Sequence, residues 1–251
     1  MPRRLLLLSN SRDAGGEFLA WPRLVIRDFL GAADDVGPLL FVPWAGVTVS
    51  WRDYAGRATA AFAGMGYRRL LSIADVADPV AAVREAGAIV VGGGNTFHLL
   101  AKLYEARLLD AIRDRVLGDG VPYVGWSAGS VVAGPTIKTT NDMPIVAPPR
   151  LDALGLVPFQ INAHYTDFHP AGFQGETRAE RLAEFLAVNP GARVVGLREG
   201  TLLRVEGDRV DLVGDGGPAA LFEPGQPVAE LRAGDSLGFP VDGREAVSGK
   251  R

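Results

Sequence analysis

The sequence predicts an α/β fold, a doubly wound and mostly parallel sheet flanked by helices, with a C-terminal antiparallel β extension. In the first two-thirds of the chain, short apolar runs alternate with longer amphipathic stretches. Continuous apolar runs are typical of parallel strands covered on both faces, and strand–helix alternation indicates βαβ units. After Gly200 the pattern changes to short strands separated by turns rich in Gly, Asp and Pro, which indicates antiparallel pairing.

Seven apolar runs are expected to form the strands of the main sheet. They cover residues 5–8, 39–42, 70–73, 88–91, 123–126, 157–161 and 194–197. The clearest helical patterns cover residues 96–117 and 178–187, where leucines recur at helical spacing. The extension is expected to add strands at 201–206, 209–213, 219–222 and 228–231 to the end of the same sheet. We therefore expect residues 1–251 to form a single domain.

Composition narrows the function classes. The chain has 251 residues, 47% of them hydrophobic, which is enough for one sizeable core. The net charge is −3 and the 26 basic residues are scattered, so the basic stripe that nucleic acid requires is missing. The absence of cysteine excludes disulfides, thiolate nucleophiles and cysteine-ligated zinc, and it fits a reducing cytoplasm.

The apolar segments predict no association with membranes. Residues 5–8 are four leucines, whereas a signal peptide needs an apolar stretch of about 7–15 residues. A membrane-spanning helix needs roughly 18 apolar residues in a row, and no run approaches that length. We expect a soluble, cytoplasmic protein whose partners include neither membranes nor nucleic acid.

The first segment that could carry catalytic residues is Gly-Trp-Ser-Ala-Gly at residues 125–129, between a predicted strand and a predicted helix. Glycines on both sides of a serine permit the strained strand-to-helix turn that exposes a nucleophile. The simpler interpretation is a glycine-rich turn in which Ser127 caps the helix. The strand context favours Ser127 as the nucleophile of a serine-type hydrolase.

The second segment, residues 92–95, is three glycines followed by an asparagine, again between a strand and a helix. It could be a tight turn capped by Asn95 or Thr96, or its bare N–H groups could hold a phosphate or an oxyanion. Beside a nucleophilic serine, an oxyanion hole is the better interpretation. The N–H of Gly93 or Gly94 would act together with the N–H of Ala128.

A nucleophilic serine needs a base, and the chain offers only His98, His164 and His169. His164 follows a predicted strand, at the sheet edge where active sites form, so it is favoured over His169. His98 lies within a helical pattern and is expected to be a packing residue. The acid that orients the base is predicted to be Glu199, which also follows a strand, with Asp167 as the alternative.

The order of these residues disfavours the α/β-hydrolase fold. In that fold the acid lies between the serine and the histidine along the chain. Here Ser127 precedes His164 and Glu199, and no histidine follows His169.

These segments together resemble the peptidase E family of aspartyl dipeptidases, which is related in fold to class I glutamine amidotransferases. The matching segments are residues 5–11, 43–48, 92–97, 125–129, 136–146, 161–164 and 175–178. The resemblance implies that Ser127, His164 and Glu199 are the catalytic residues, which raises Glu199 above Asp167. It also implies cleavage of dipeptides with a free N-terminal aspartate, no metal or other cofactor, and a homodimer.

Arg178 is the candidate for binding the aspartate of such a substrate. It falls in the first turn of a helix with a predicted capping box at Thr177 and Glu180, where a cation opposes the helix dipole. By spacing alone it would be a solvated surface arginine, but the resemblance implies that it binds the substrate carboxylate, which a guanidinium can hold bidentately. The polar stretch of Thr139, Thr140, Asn141 and Asp142 is expected to line the same pocket.

Two alternative functions stay open at this level. A cyanophycinase-like hydrolase of the same fold would need a wider cleft, and the sequence has no long acidic insertion to form one. A protein that only binds small anions could use the glycine loop, but it would have no use for Ser127, His164 and Glu199 together.

Overall fold

The computed structural model describes residues 2–12, 15–172 and 174–237. Its strands are β1 (Arg4–Leu8), β2 (Leu39–Val42), β3 (Leu70–Ser72), β4 (Ala88–Val91), β5 (Tyr123–Trp126), β6 (Gln160–Ala163), β7 (Val194–Leu197), β8 (Thr201–Glu206), β9 (Arg209–Gly214), β10 (Ala219–Phe222) and β11 (Ala229–Leu231). Its α-helices are α1 (Arg23–Leu30), α2 (Ala33–Val36), α3 (Trp51–Gly64), α4 (Pro79–Glu85), α5 (Thr96–Glu105), α6 (Leu108–Arg113), α7 (Ala128–Val131) and α8 (Arg178–Val188).

The larger sheet has seven strands in the order β3-β2-β4-β5-β1-β8-β9, of which the first five are parallel. Successive leucines of β1 face opposite sides. Leu5 and Leu7 pack with α5 and α6, whereas Leu6 and Leu8 pack with α1 and α3. Burying each such side chain contributes roughly 1.5–3 kcal/mol, which explains why the central strands are apolar throughout. The prediction of a doubly wound α/β fold is confirmed.

A second sheet was not predicted. Its four strands lie in the order β11-β10-β7-β6, with β6 and β7 parallel and the other pairs antiparallel. The expectation of one sheet extended at its end holds for β8 and β9. It is wrong for β6 and β7, which precede them in the chain, and for β10 and β11, which follow them. Because β8 pairs with the free edge of β1, no edge is left there for β6 and β7, which pair with each other and with β10.

The prediction of one helix over residues 96–117 is also wrong. Arg107 has a φ of 55°, in the left-handed region, which interrupts the helix between α5 and α6. The leucine spacing continues across the break because both helices pack into the same core.

The helix predicted at 178–187 is confirmed, as is its capping box between Thr177 and Glu180. Across the described part of the chain, no helix combines the length and apolarity that crossing a membrane requires.

Candidate active site

The carboxyl ends of parallel strands from both sheets meet at one place. In the larger sheet, β4, β5 and β1 are neighbours, and the glycine loop, Ser127 and Ser9 follow them directly. In the second sheet, His164 follows β6 and Glu199 lies just beyond β7, with Ala163 opposite Leu197. Clefts outside the carboxyl ends of parallel strands are where α/β proteins bind ligands. The candidate site therefore forms between the two sheets.

Three side chains form a continuous hydrogen-bonded chain in this cleft. The Oγ of Ser127 lies 2.8 Å from Nε2 of His164, and Nδ1 of His164 lies 2.7 Å from Oε1 of Glu199. Both distances are normal for hydrogen bonds. The imidazole can accept the serine proton on one nitrogen, while the carboxylate fixes its tautomer through the other.

The backbone at Ser127 is strained, with φ 52° and ψ −115°. A β-carbon on Gly129 would lie 2.2 Å from the carbonyl oxygen of Val91, and one on Gly125 would lie 2.5 Å from the carbonyl oxygen of Gly129. Glycine is therefore needed on both sides of the serine. The Ser127 side chain makes no capping hydrogen bond to α7, so the alternative of a simple helix cap is wrong.

The glycine loop after β4 lies directly against Ser127. A β-carbon on Gly93 would be 2.9 Å from the Ser127 β-carbon, and one on Gly94, whose φ is 138°, would be 2.1 Å from the carbonyl oxygen of Ala45. Considering only the described residues, the backbone N–H groups of Gly93, Gly94 and Ala128 donate no hydrogen bond. They are thus available to an oxyanion next to the serine. Asn95 caps α5 by accepting from the N–H of His98, as the interpretation of a capped tight turn predicts.

Tyr54, on α3, holds this loop in place and had no signal in the sequence. Its hydroxyl donates to the carbonyl oxygen of Gly93 at 3.0 Å and accepts from Nε1 of Trp126 at 2.8 Å. Burial raises the pKa of Tyr54 to about 12, although these hydrogen bonds and the nearby Arg57 oppose the shift. The phenol therefore stays protonated and remains a donor at neutral pH.

Ser9 and Asn10, at the end of β1, connect the two sheets. The buried hydroxyl of Ser9 donates to the carbonyl oxygen of Leu197 at 2.8 Å and accepts from the N–H of His164 at 2.9 Å. Asn10 accepts from the N–H of Gly200, beside Glu199. His164 has a φ of 56°, an unfavourable conformation that such surrounding bonds must maintain. Sequence reasoning gave Ser9 and Asn10 no role beyond their place in the family resemblance.

The other two histidines lie apart from the serine. His98 contacts the carbonyl oxygen of Trp44 through Nδ1 at 2.6 Å, which agrees with its predicted packing role. His169 is exposed, and its Nε2 lies 2.9 Å from the carbonyl oxygen of Gly175.

Asp167, the alternative acid, is engaged elsewhere. It forms an ion pair with Arg198 and accepts a hydrogen bond from the Tyr165 hydroxyl at 2.9 Å. Partial burial opposes ionisation of Asp167, but the hydrogen bonds from Arg198 and Tyr165 outweigh it and lower its pKa. Glu199, and not Asp167, is the carboxylate that contacts His164.

The predicted substrate-binding residues lie in a polar cluster next to β6. Arg178 is half-buried, and its guanidinium donates to Oδ1 of Asn162 at 3.5 Å. The Nδ2 of Asn162 in turn donates to Oδ1 of Asn141 at 2.8 Å. Burial is the main cause that lowers the pKa of Arg178, yet a guanidinium keeps its charge at neutral pH. The Thr139 hydroxyl is buried and donates to the carbonyl oxygen of Ile161, so it is committed to holding the loop.

Asp142, which the sequence grouped with the pocket residues, binds the start of α5. Its carboxylate accepts from the N–H and the hydroxyl of Thr96 at 2.7 and 2.5 Å, and from the Thr140 hydroxyl at 3.2 Å. An acidic side chain at the start of α5 complements the helix dipole. The segment that carries Thr140 and Asp142 therefore fixes the helix that begins right after the glycine loop.

A cavity of about 780 Å³ opens in front of Ser127. His164, Glu199, Gly93 and Gly94 also line it. Of the residues that the structure describes, Thr139, Thr140, Asn141 and Arg178 are not part of its wall. Nor does the described portion contain a group of three or more His, Asp or Glu side chains that could hold a metal ion.

An α/β fold with a Ser–His–carboxylate chain at the carboxyl ends of its strands defines a hydrolase of the serine type. Comparison with known proteins narrows this class. Residues 5–213 match the model of peptidase family S51. The chain belongs to this family.

Similar proteins agree with that assignment. Peptidase E of Nostoc sp. is 46% identical over 242 residues, covering 96% of this chain and 98% of its own. Peptidase E of Escherichia coli is 44% identical, and the match covers 92% of this chain and 98% of that relative. The crystal structure of a peptidase from an acI-B1 Actinobacterium has the same fold, with a TM-score of 0.71 at 20% identity over 95% of this chain and 98% of that one. The protein is a serine-type peptidase, which excludes the alternative of a protein that only binds anions.

Proposed function

We propose that the protein hydrolyses dipeptides with a free N-terminal aspartate through an aspartyl-enzyme intermediate. The observation that carries the proposal is the hydrogen-bonded chain from Ser127 through His164 to Glu199, set against the unpaired N–H groups of the glycine loop. The 46% identity to a protein named peptidase E supports the substrate class.

The described residues divide the steps of this reaction among them. His164 removes the proton of Ser127, whose oxygen attacks the carbonyl carbon of the Asp-Xaa bond. The N–H groups of Gly93 or Gly94 and of Ala128 stabilise the oxyanion, a contribution of about 3–4 kcal/mol for one such donor. Glu199 orients His164 and stabilises the imidazolium. His164 then protonates the leaving amine, and water attacks the ester to release aspartate.

Arg178 is proposed to bind the aspartate side chain of the substrate. Two observations support this role. The first is that its guanidinium is half-buried and has no carboxylate partner among the described residues. The second is that it shares a polar cluster with Asn162, which nearly adjoins His164 in sequence, and with Asn141, which donates to the carbonyl oxygen of Ala163. Because the cluster is not part of the cavity wall as the structure stands, substrate binding would have to draw the Arg178 side chain towards Ser127. Thr140 and Asn141 would position this cluster.

The test is a release assay over Asp-Leu, Glu-Leu, Asn-Leu, β-aspartyl-Leu and β-aspartyl-Arg. We expect efficient cleavage of Asp-Leu alone. A neutral Asn would leave the guanidinium unpaired, and Glu would place its carboxylate one methylene too far, a misfit of roughly 1–3 kcal/mol. Preferred cleavage of β-aspartyl-Arg would instead support the cyanophycinase-like alternative. Activity should persist in chelator, because the proposed chemistry uses no metal or other cofactor.

We further propose that residues 1–251 form one domain, which acts in the cytoplasm as a homodimer with no nucleic-acid or membrane partner. The absence of cysteine and the scattered basic residues support this setting. The dimer rests on the family resemblance, and light scattering would test it by giving twice the chain mass of 26.6 kDa.

A further inference from the structure

The cavity in front of Ser127 contains two arginines that the chemistry above does not use. Arg12 follows the end of β1, and Arg57 lies on α3, one turn after Tyr54. Sequence reasoning assigned neither of them a role. Both side chains belong to exposed residues that line the same cavity as the nucleophile.

The charges in this cavity are unbalanced. Glu199 is the one carboxylate among the described residues of its wall, and it is already engaged with His164. Within residues 2–12, 15–172 and 174–237, neither Arg12 nor Arg57 forms an ion pair, although Arg12 lies over the Phe18 ring at 6.0 Å. An anionic group of the substrate would therefore meet two guanidinium groups that have no competing partner in the described wall.

The position of Arg57 relates this charge to the scissile bond. Arg57 acts electrostatically on Tyr54, whose hydroxyl binds the carbonyl oxygen of Gly93. In the proposed reaction the attacked carbonyl lies at the N–H groups of Gly93 and Gly94, and both arginines line the same cavity as these glycines. Arg178 lies in a separate cluster next to β6. The two cationic regions can thus receive two different carboxylates of one substrate.

We propose, on the basis of the proposed function, that Arg12 and Arg57 bind the terminal α-carboxylate of the second residue of the dipeptide. In Asp-Xaa this carboxylate is separated from the scissile nitrogen by a single carbon, so it enters the cavity with the leaving group. A tripeptide has an uncharged amide at that position. Recognition by Arg12 and Arg57 therefore explains selection of dipeptides over longer peptides. Because both arginines are exposed, the preference weakens with added salt.

The experiment compares Asp-Leu with Asp-Leu amide, which lacks only the negative charge. The ratio of kcat/KM for the two substrates is measured for the wild type, Arg12→Gln, Arg57→Gln and the double variant. Arg52→Gln is the matched control, because Arg52 is exposed on the same helix as Arg57 but does not line the cavity. Because charge-assisted hydrogen bonds would hold the terminal carboxylate, kcat/KM of the wild type should be about tenfold or more higher for Asp-Leu than for the amide. The double variant should bring it close to 1, and Arg52→Gln should leave it unchanged.

Two results would overturn the assignment. One is a wild-type ratio near 1, which means that the terminal carboxylate is not recognised. The other is an unchanged ratio in the double variant, because Arg12 and Arg57 would then not be the groups that recognise it. Failure of the proposed function is distinguishable, since the wild type would then cleave neither Asp-Leu nor its amide.

Discussion

Gly93 and Ser127 are so close that a β-carbon on Gly93 would lie 2.9 Å from the β-carbon of Ser127. Gly93→Ala should therefore displace the loop from the serine and remove an oxyanion donor. Loss of one such donor typically lowers kcat by about 10²–10³-fold. Steady-state kinetics with Asp-Leu measure the effect. Gly56→Ala is the matched control, because a β-carbon there meets nothing within 4 Å, and it should keep full activity. Wild-type activity in Gly93→Ala would exclude Gly93 as the oxyanion donor.

Removal of the Ser9 hydroxyl should lower kcat by more than the accompanying loss of folding stability can explain. Ser9 binds both the His164 N–H and the carbonyl oxygen of Leu197, so Ser9→Ala frees the backbone of the base. We expect a decrease in kcat of about tenfold with a loss of roughly 1–3 kcal/mol in the free energy of unfolding. Ser130→Ala removes an equally buried hydroxyl that contacts Leu8 and Gly125. If both variants keep the same activity, Ser9 is only structural.

Replacement of Glu199 by Gln should reduce turnover strongly, because an amide can hold the imidazole but cannot stabilise the imidazolium. A decrease of up to about 10⁴-fold is known for such a change in a serine protease. Asp167→Asn should have a much smaller effect, since Asp167 contacts Arg198 and Tyr165. Measuring kcat for both variants decides between them. A larger loss in Asp167→Asn would mean that the acid is misassigned.

The sequence predicted the three catalytic candidates because each follows a strand whose apolar run is easy to recognise. Parallel strands place their carboxyl ends at a common edge, so Ser127, His164 and Glu199 could be expected to meet. Their residue types then limited the possible chemistry. Its position after a strand favoured Glu199 over Asp167, and the family resemblance strengthened this assignment, because both residues occupy plausible loops.

Other features could not be predicted, because they depend on contacts between distant segments. Nothing local distinguishes Ser9 or Tyr54 from other polar residues, and their partners lie far along the chain. The second sheet arises because β8 takes the free edge of β1, a competition between strands that apolar patterns do not reveal. Arg107 interrupts a helix whose leucine spacing is unbroken, since its left-handed conformation leaves no mark in the pattern.

Arg178→Ala should abolish most cleavage of Asp-Leu while leaving the serine reactive. The variant loses the guanidinium proposed to bind the substrate carboxylate, which corresponds to a decrease in kcat/KM of roughly 10²-fold for a charged hydrogen-bonded pair. Acylation of Ser127 by a small uncharged ester should continue at the wild-type rate. Arg181→Ala, on the exposed side of the same helix, serves as the control. Normal cleavage of Asp-Leu by Arg178→Ala would show that the aspartate is bound elsewhere.

The most direct test of the central claim is mass spectrometry of the protein during turnover of an aspartyl ester. Acid quenching should trap one aspartyl group per chain, and peptide mapping should locate it on Ser127, because a serine hydrolase passes through an acyl-enzyme. Ser127→Ala should carry no such group and should lose Asp-Leu cleavage by several orders of magnitude while remaining folded. A Ser127→Ala variant with more than about a tenth of wild-type turnover, or an aspartyl group on another residue, would contradict the mechanism.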